Sequence, residues 1–382
     1  MQYDFETIPD RAGTGSLKWE KYAGKDILPF WVADMDFCSA PEIIADLRHR
    51  LGHGIFGYTL PTRDAVGATI DYLARVHRLN VDPSWLVWLP GLVPALNVVA
   101  RAFAQRGESI LTCTPVYPPF LTAPGNQDRR CIKVPLATRE NRAVFDFDAL
   151  EAAVEADTRA FILCNPHNPV GRVFEPGELE QLAAFCERHD LVLISDEIHC
   201  DLLLDEDRSH IPTLALGDEV AARTVTLMAP SKTYNLPGLA CAYAIIPDAR
   251  LRARFQRAAR GMITEVNCFG YAGCAAAYNK GENWRRALIG VLRANRDRVY
   301  AFLREELPGI GLLPMEATYL AWLDVRPLGL ADPVAHFEAG GIGLSNGADF
   351  GAPGFLRLNF GCPSARLEEG LARLAAAART RR

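Results

Sequence analysis

Ala160-Phe161-Ile162-Leu163-Cys164-Asn165-Pro166-His167-Asn168-Pro169 decides how this chain is read. A charge-free apolar run is cut off at once by two Asn-Pro steps. A run of this length, bounded by turn residues, predicts a strand buried on both faces. The arrangement recurs along the chain. Leu191-Val192-Leu193-Ile194 ends in Ser195-Asp196-Glu197, and Thr224-Val225-Thr226-Leu227-Met228 ends in Ala229-Pro230-Ser231-Lys232. Ser109-Ile110-Leu111-Thr112-Cys113 is a further strand-length run, and helix-like stretches at 94–106 and 177–189 lie between the runs. Continuous apolar strands alternating with helices predict a mostly parallel sheet covered on both faces. Open sheets of this kind place their ligands beyond the strand carboxyl ends. The polar groups that follow the strands, an amide, a carboxylate and a lysine, therefore belong to one site.

Working outward, the 382 residues suggest more than one domain. The first ~50 residues and those after ~280 differ in texture from the middle. Amphipathic stretches at 284–307 and 364–379 flank strand-like segments at 318–324 and 355–360. The expected division is a large domain over 51–280 and a smaller α/β domain formed by 1–50 and 281–382. Hydrophobic residues at 49% and charged residues at 23% exclude disorder and coiled coil. A formal charge of −5 argues against binding nucleic acid through its phosphates. The charge-free stretch 85–100 is interrupted by Pro90, Gly91 and Pro94 and is shorter than the ~20 apolar residues of a membrane span. The start, Met1-Gln2-Tyr3-Asp4, lacks the pattern of a signal peptide. Ten scattered cysteines with no C-x-x-C pair suit small buried residues in a reducing cytoplasm.

Lys232, beside the end of a buried strand, is expected to be partly desolvated, which lowers its pKa and makes it a Schiff-base nucleophile. Asp196 at a neighbouring strand end suits a cationic ring nitrogen. A lysine with an acidic pyridinium partner is what pyridoxal phosphate requires. Gly91, Leu92 and Val93, leading into the 94–106 helix, offer amide N–H groups to a phosphate. Blander readings exist: a solvated loop lysine, a helix-capping Asp196, a structural ion pair at Arg357, core aromatics at Tyr58 and Tyr117. Cys164, His167, His199 and Cys200 match no usual zinc spacing, so no metal is expected. Gly340-Gly341-x-Gly343 lacks the lysine of a phosphate-binding loop.

Ordered motifs run through nearly the whole chain: Asp10-Arg11-x-Gly13-Thr14-x-Ser16-x-Lys18-Trp19, Trp31 to Phe37, Ile55-Phe56-Gly57-Tyr58-Thr59, and Thr114 to Phe120. Asn165 to Gly171, Ser195-Asp196-Glu197-Ile198-His199, Ser231 to Leu236 and Arg357 to Pro363 continue the series. With these motifs the chain resembles the fold-type I pyridoxal phosphate enzymes of the class I/II aminotransferase superfamily. Among them it is similar to the MalY/PatB-type cystathionine β-lyases, or C–S lyases. The resemblance implies an α/β fold of the PLP-dependent transferase type and a homodimer with sites at the subunit interface.

It also implies roles. Lys232 is the Schiff-base lysine, Asp196 the partner of the pyridine nitrogen, and Asn168 a donor to the ring hydroxyl oxygen. Tyr117 and Ile198 cover the two ring faces. Ser231, with Gly91, Leu92 and Val93, holds the phosphate, which Tyr58 reaches from the neighbouring subunit. Arg357 clamps the substrate carboxylate, with Asp34, Tyr58 and Asn168 in the same substrate-binding set. His199 stands where many aminotransferases have tyrosine, and Ala240 and Ala229 stand where relatives often have arginine and serine. The implied reaction is α,β-elimination of L-cystathionine or another L-cysteine S-conjugate to thiol, pyruvate and ammonia. An aminotransferase uses the same residues, and a regulatory protein-binding role is the alternative from another class.

Overall fold

The computed structural model describes residues 3–380. Its centre is a seven-stranded sheet. In chain order the strands are β1 (Leu86–Leu89), β2 (Ser109–Thr114), β3 (Arg130–Pro135), β4 (Thr158–Cys164), β5 (Val192–Asp196), β6 (Thr224–Met228) and β7 (Ala242–Ile245). They lie in the order β1-β7-β6-β5-β4-β2-β3, and only β7 runs antiparallel to its neighbours. Period-two alternation sends Ile110, Ile162, Ile194 and Val225 to one face, against Val98, Val99 and Phe103. It sends Leu111, Phe161, Leu163 and Leu193 to the other, against Leu179, Leu182 and Phe185. Helices on both faces are why the strands carry no polar face.

The covering helices include α1 (Pro41–Gly52), α2 (Arg63–His77), α3 (Leu92–Phe103), α4 (Pro118–Asn126), α5 (Pro176–Arg188), α6 (Ala249–Ala259) and α7 (Cys268–Lys280). Helix α5 begins where the sequence places Glu175-Pro176-x-Glu178, a capping box with proline in the first turn. Helix α3 starts two residues earlier than its periodicity suggested, at Leu92. Gly91 before it is extended and offers no side chain to cap the first turn, so those N–H groups stay available.

A second, antiparallel sheet is built from β8 (Gly311–Leu312), β9 (Leu320–Asp324), β10 (Ser345–Asn346) and β11 (Phe355–Asn359), in the order β8-β9-β11-β10. The long α8 (Glu282–Glu306) and the C-terminal α9 (Ser364–Arg379) pack on each other and share one hydrophobic cluster with this sheet. The chain's first residues return to this unit, where Leu28–Pro29 pairs in parallel with Ile342–Gly343. Helix α1 instead packs on α7 beside the large sheet.

Backbone contacts join the two sheets at Gly171, which sits in the left-handed region at φ 71°. Its N–H donates to the His167 carbonyl (2.8 Å), and its carbonyl accepts from Ala317 N–H (3.0 Å). A Cβ here would lie 3.2 Å from both the Ala317 oxygen and Met315 Cα. Gly171→Ala is therefore expected to destabilise the protein by about 1–2 kcal/mol, read as a lower urea midpoint at unchanged slope.

Candidate active site

The carboxyl ends of β4, β5 and β6 open into a cavity of ≈ 200 Å³. Asn168 comes from the turn after β4, Asp196 ends β5, Ile198 and His199 follow it, and Ser231 and Lys232 follow β6. Gly91, Leu92 and Val93 bring the start of α3 to the same cavity, and Tyr117 closes a further wall. The residues expected from the strand ends thus meet in space. Ala229 and Ala240 line the cavity as well, leaving Lys232 as its only basic side chain other than His199.

Asp196 is buried, and its side chain accepts only the Ile198 N–H, at 3.1 Å. Burial without a bonded cation raises its pKa to about 7, despite the Ile198 bond and the charge of Lys232. Burial also depresses Lys232, to about 8, with Arg357 adding to the fall while Asp34 and Asp196 oppose it. The amine donates to the Ala33 carbonyl at 2.6 Å. His199 is driven down to about 3 by burial and by the Lys232 and Arg357 charges, so it is neutral. Its Nδ1 is buried without a partner.

Arg357 lies behind the cavity wall, in register with Trp322 on β9. It is buried, so strand alternation turns it away from Leu356 and Leu358 onto a face that is covered and not open to solvent. Its guanidinium donates to Asn168 Oδ1 (3.0 Å), the Trp31 carbonyl (2.9 Å) and Ser345 Oγ (3.3 Å), and it stacks over Phe350. All these partners are neutral, and Nε has none, so the charge is uncompensated and suited to a carboxylate.

Asp34 belongs to a cluster of charges beside the cavity. Arg11 bridges Asp34 (2.8 Å) and Asp36 (2.7 Å), and Lys18 Nζ bonds Asp36 at 2.7 Å. Tyr58 is the one expected site residue that a single chain does not bring in. It is fully exposed, on a segment with exposed Ile55, Phe56 and Leu60. His77, Cys200 and Asp201 also cluster, in buried surroundings. There His77 Nε2 already bonds Asp201 Oδ1 at 2.9 Å, and Arg285 donates to the Asp201 carbonyl, so these side chains already satisfy one another beside a cation.

Sequence reasoning missed the Trp31 and Ala33 carbonyls, Ser345, Phe350 and Tyr319. Main-chain carbonyls leave no signal in residue identity, and Tyr319 lies in the segment 318–324, which reads only as a core strand.

Residues 30–374 match the family described as aminotransferase class I and II. The chain belongs to that family. Within it, cystathionine β-lyase PatB of Bacillus subtilis is 38% identical, over 98% of this chain and 99% of that protein. The crystal structure of OvoB superposes with a TM-score of 0.97 at 42% identity, covering all of both chains. Cystalysin from Treponema denticola, whose structure contains a pyridoxal 5'-phosphate cofactor, gives 0.95 at 32% identity over 99% of each chain. These likenesses place the chain with the PatB/MalY-type lyases and with the fold-type I architecture.

The family's cofactor is pyridoxal phosphate, and the residues present fit it. Asp196 lacks a cation, the first turn of α3 lacks an acceptor, and Lys232 is an amine with a depressed pKa.

The raised Asp196 pKa has a consequence for cofactor-free protein. Against about 3.9 when unfolded, a folded value near 7 means that the native state holds this proton more tightly. The resulting stability is complete below about pH 4 and is lost as pH rises through 7. Asp196→Asn escapes that loss. Its melting temperature is expected to gain on wild type between about pH 4 and 8, and a pH-independent difference would contradict the assignment.

Proposed function

We propose that this protein is a pyridoxal phosphate-dependent carbon–sulfur β-lyase that splits L-cystathionine or another L-cysteine S-conjugate into a thiol, pyruvate and ammonia. The observation that carries the reading is the joint burial of Lys232 and Asp196 at adjacent strand ends, in a chain that matches a cystathionine β-lyase along its whole length. When bound, the cofactor supplies an aldehyde that condenses with amines and a cationic ring that accepts an electron pair.

The chain's own residues do the rest. Asp196 holds the proton on the ring nitrogen, because a carboxylate poor in partners gains most from a cation. Tyr117 and Ile198 confine the ring, and Asn168 meets its hydroxyl oxygen. Ser231 and the Gly91, Leu92 and Val93 backbone receive the phosphate at the open start of α3. Neutral His199 lines the same wall. Arg357 takes the substrate carboxylate, which fixes the Cα–H bond toward Lys232. The Lys232 amine, near neutral in pKa, removes that proton. As the C–S bond breaks, its electron pair leaves with sulfur, which is protonated to the thiol. Addition of water to the remaining three-carbon unit yields pyruvate and ammonia.

The same reading gives Tyr58 to the neighbouring subunit of a homodimer. The exposed apolar side chains of Ile55, Phe56 and Leu60 support it, since single-chain folding leaves them uncovered. It also takes 51–280 as the large domain and the two chain ends as the small one. Among the described residues no helix is long and apolar enough to cross a membrane.

Incubating holoenzyme with cystathionine and no keto acid tests the chemistry. Pyruvate and thiol are expected in equal amounts over many turnovers, whereas a single turnover that leaves the cofactor aminated would make the protein an aminotransferase. Lys232→Ala is expected to lower kcat by at least about a thousandfold. Mixing Lys232→Ala with Tyr58→Ala subunits is expected to restore roughly a quarter of wild-type activity, because mixed dimers hold one complete site. No restoration would remove Tyr58 from the partner's site.

A further inference from the structure

Tyr319 stands immediately before β9 and is buried (1% exposed). Its hydroxyl donates to the Ala33 carbonyl at 3.0 Å, the same oxygen that accepts Lys232 Nζ at 2.6 Å. Its ring lies edge-on to His199, with centroids 6.3 Å apart. The residue before it, Thr318, has φ 72° and is fully buried. A β-branched side chain rarely enters this left-handed region, and such strain persists only where surrounding structure imposes it. Thr318 is held there by its N–H to the Leu202 carbonyl (2.8 Å) and by Oγ1, which accepts from Leu320 N–H (3.2 Å). Tyr319's own carbonyl accepts Phe360 N–H at 2.9 Å. The fold thus spends conformational energy to aim one hydroxyl at one carbonyl.

That carbonyl is itself fixed. Asn359 Nδ2 bonds the Val32 and Asp34 oxygens on either side of it, at 2.7 and 2.6 Å. Asn235 bonds the Met35 N–H and carbonyl from the other unit.

We propose that Tyr319 is a positioning residue for Lys232, setting where the free amine rests and how tightly it holds a proton by sharing the Ala33 carbonyl with it. A carbonyl oxygen has two acceptor sites. With Tyr319 on one, the oxygen is a poorer acceptor for the lysine. An ammonium forms stronger hydrogen bonds than an amine, so the shared carbonyl favours the neutral, proton-accepting form. Removing the hydroxyl returns full acceptor strength to Lys232 and favours the ammonium. The other groups facing Lys232 are Asp34, Asp196, Arg357 and neutral His199. Burial pushes the Tyr319 phenol well above its ordinary value, so it donates throughout the working range. The proposal rests on Lys232 being the base of the lyase reaction.

The test is Tyr319→Phe, which keeps the ring and its packing. In holoenzyme, kcat is expected to fall about fivefold with KM changed less than about twofold, the effect of losing one hydrogen bond to the carbonyl on which the reacting amine rests. The acid limb of the kcat–pH profile is expected to move up by about half a pH unit. A second readout needs no turnover. The rate at which pyridoxal phosphate colours the cofactor-free protein tracks the neutral Lys232 amine, and its midpoint is expected to rise by the same amount. Fluorotyrosine at 319, a stronger donor of nearly the same volume, is expected to move both midpoints down. Profiles that superpose on wild type in both variants would overturn the proposal, even if the melting temperature falls. Retained turnover in Lys232→Ala would instead overturn the reading of Lys232 as the base.

Discussion

At the carboxyl edge of the large sheet a lysine and a carboxylate meet a guanidinium carried by the antiparallel sheet, all three held away from water and not bonded to one another. The rest of the structure depends on sustaining that arrangement. Asp196 keeps a single backbone donor, Lys232 a single carbonyl, and Arg357 only neutral acceptors. Buried charges left this way oppose folding. The cost is tolerated because strands apolar on both faces, covered by helices, supply a large core directly beneath the site. The same lack of internal partners is what makes the site receptive. Asp196 is suited to a cation, and the start of α3 and Arg357 are suited to anions, because the protein itself supplies none to them.

The segment 30–37 reaches the cavity at Ala33, and both units hold it. Asn359 and Arg357 reach it from the antiparallel sheet, Asn235 from the loop after Lys232. Beside it, Arg11, Lys18, Asp34 and Asp36 balance one another's charge at close range. The segment therefore presents main-chain carbonyls at set positions, and the lysine amine rests on one of them.

Much of this was readable in residue order. The strand at 224–228 matches its apolar run, the runs at 109 and 160 mark strands one or two residues longer, and the run at 191 marks a strand that starts at Val192 and continues to Asp196. The reason is local: buried strands need unbroken apolar stretches, and turns need Asn, Pro and Gly. Asp196 and Lys232 were legible because a charge directly after such a strand has few structural uses. Arg357 was legible only through the motif that carries it, which did not tell that the space around it is closed. Tyr319 was not legible. Its role lies in an oxygen of Ala33, contributed by a residue far away in the chain, and no side-chain pattern encodes a carbonyl.

The sequence by itself determined the α/β architecture, the family and the chemical identity of the groups that meet at the sheet edge. Those follow from periodicity and from ordered motifs, which are properties of neighbours along the chain. Only the tertiary structure decided what those groups experience. The near-neutral pKa values of Lys232 and Asp196, the enclosure of Arg357 and the carbonyl shared by Lys232 and Tyr319 all arise from water removed by segments distant in sequence. Desolvation depends on everything that surrounds an atom, and that is assembled only when the chain folds.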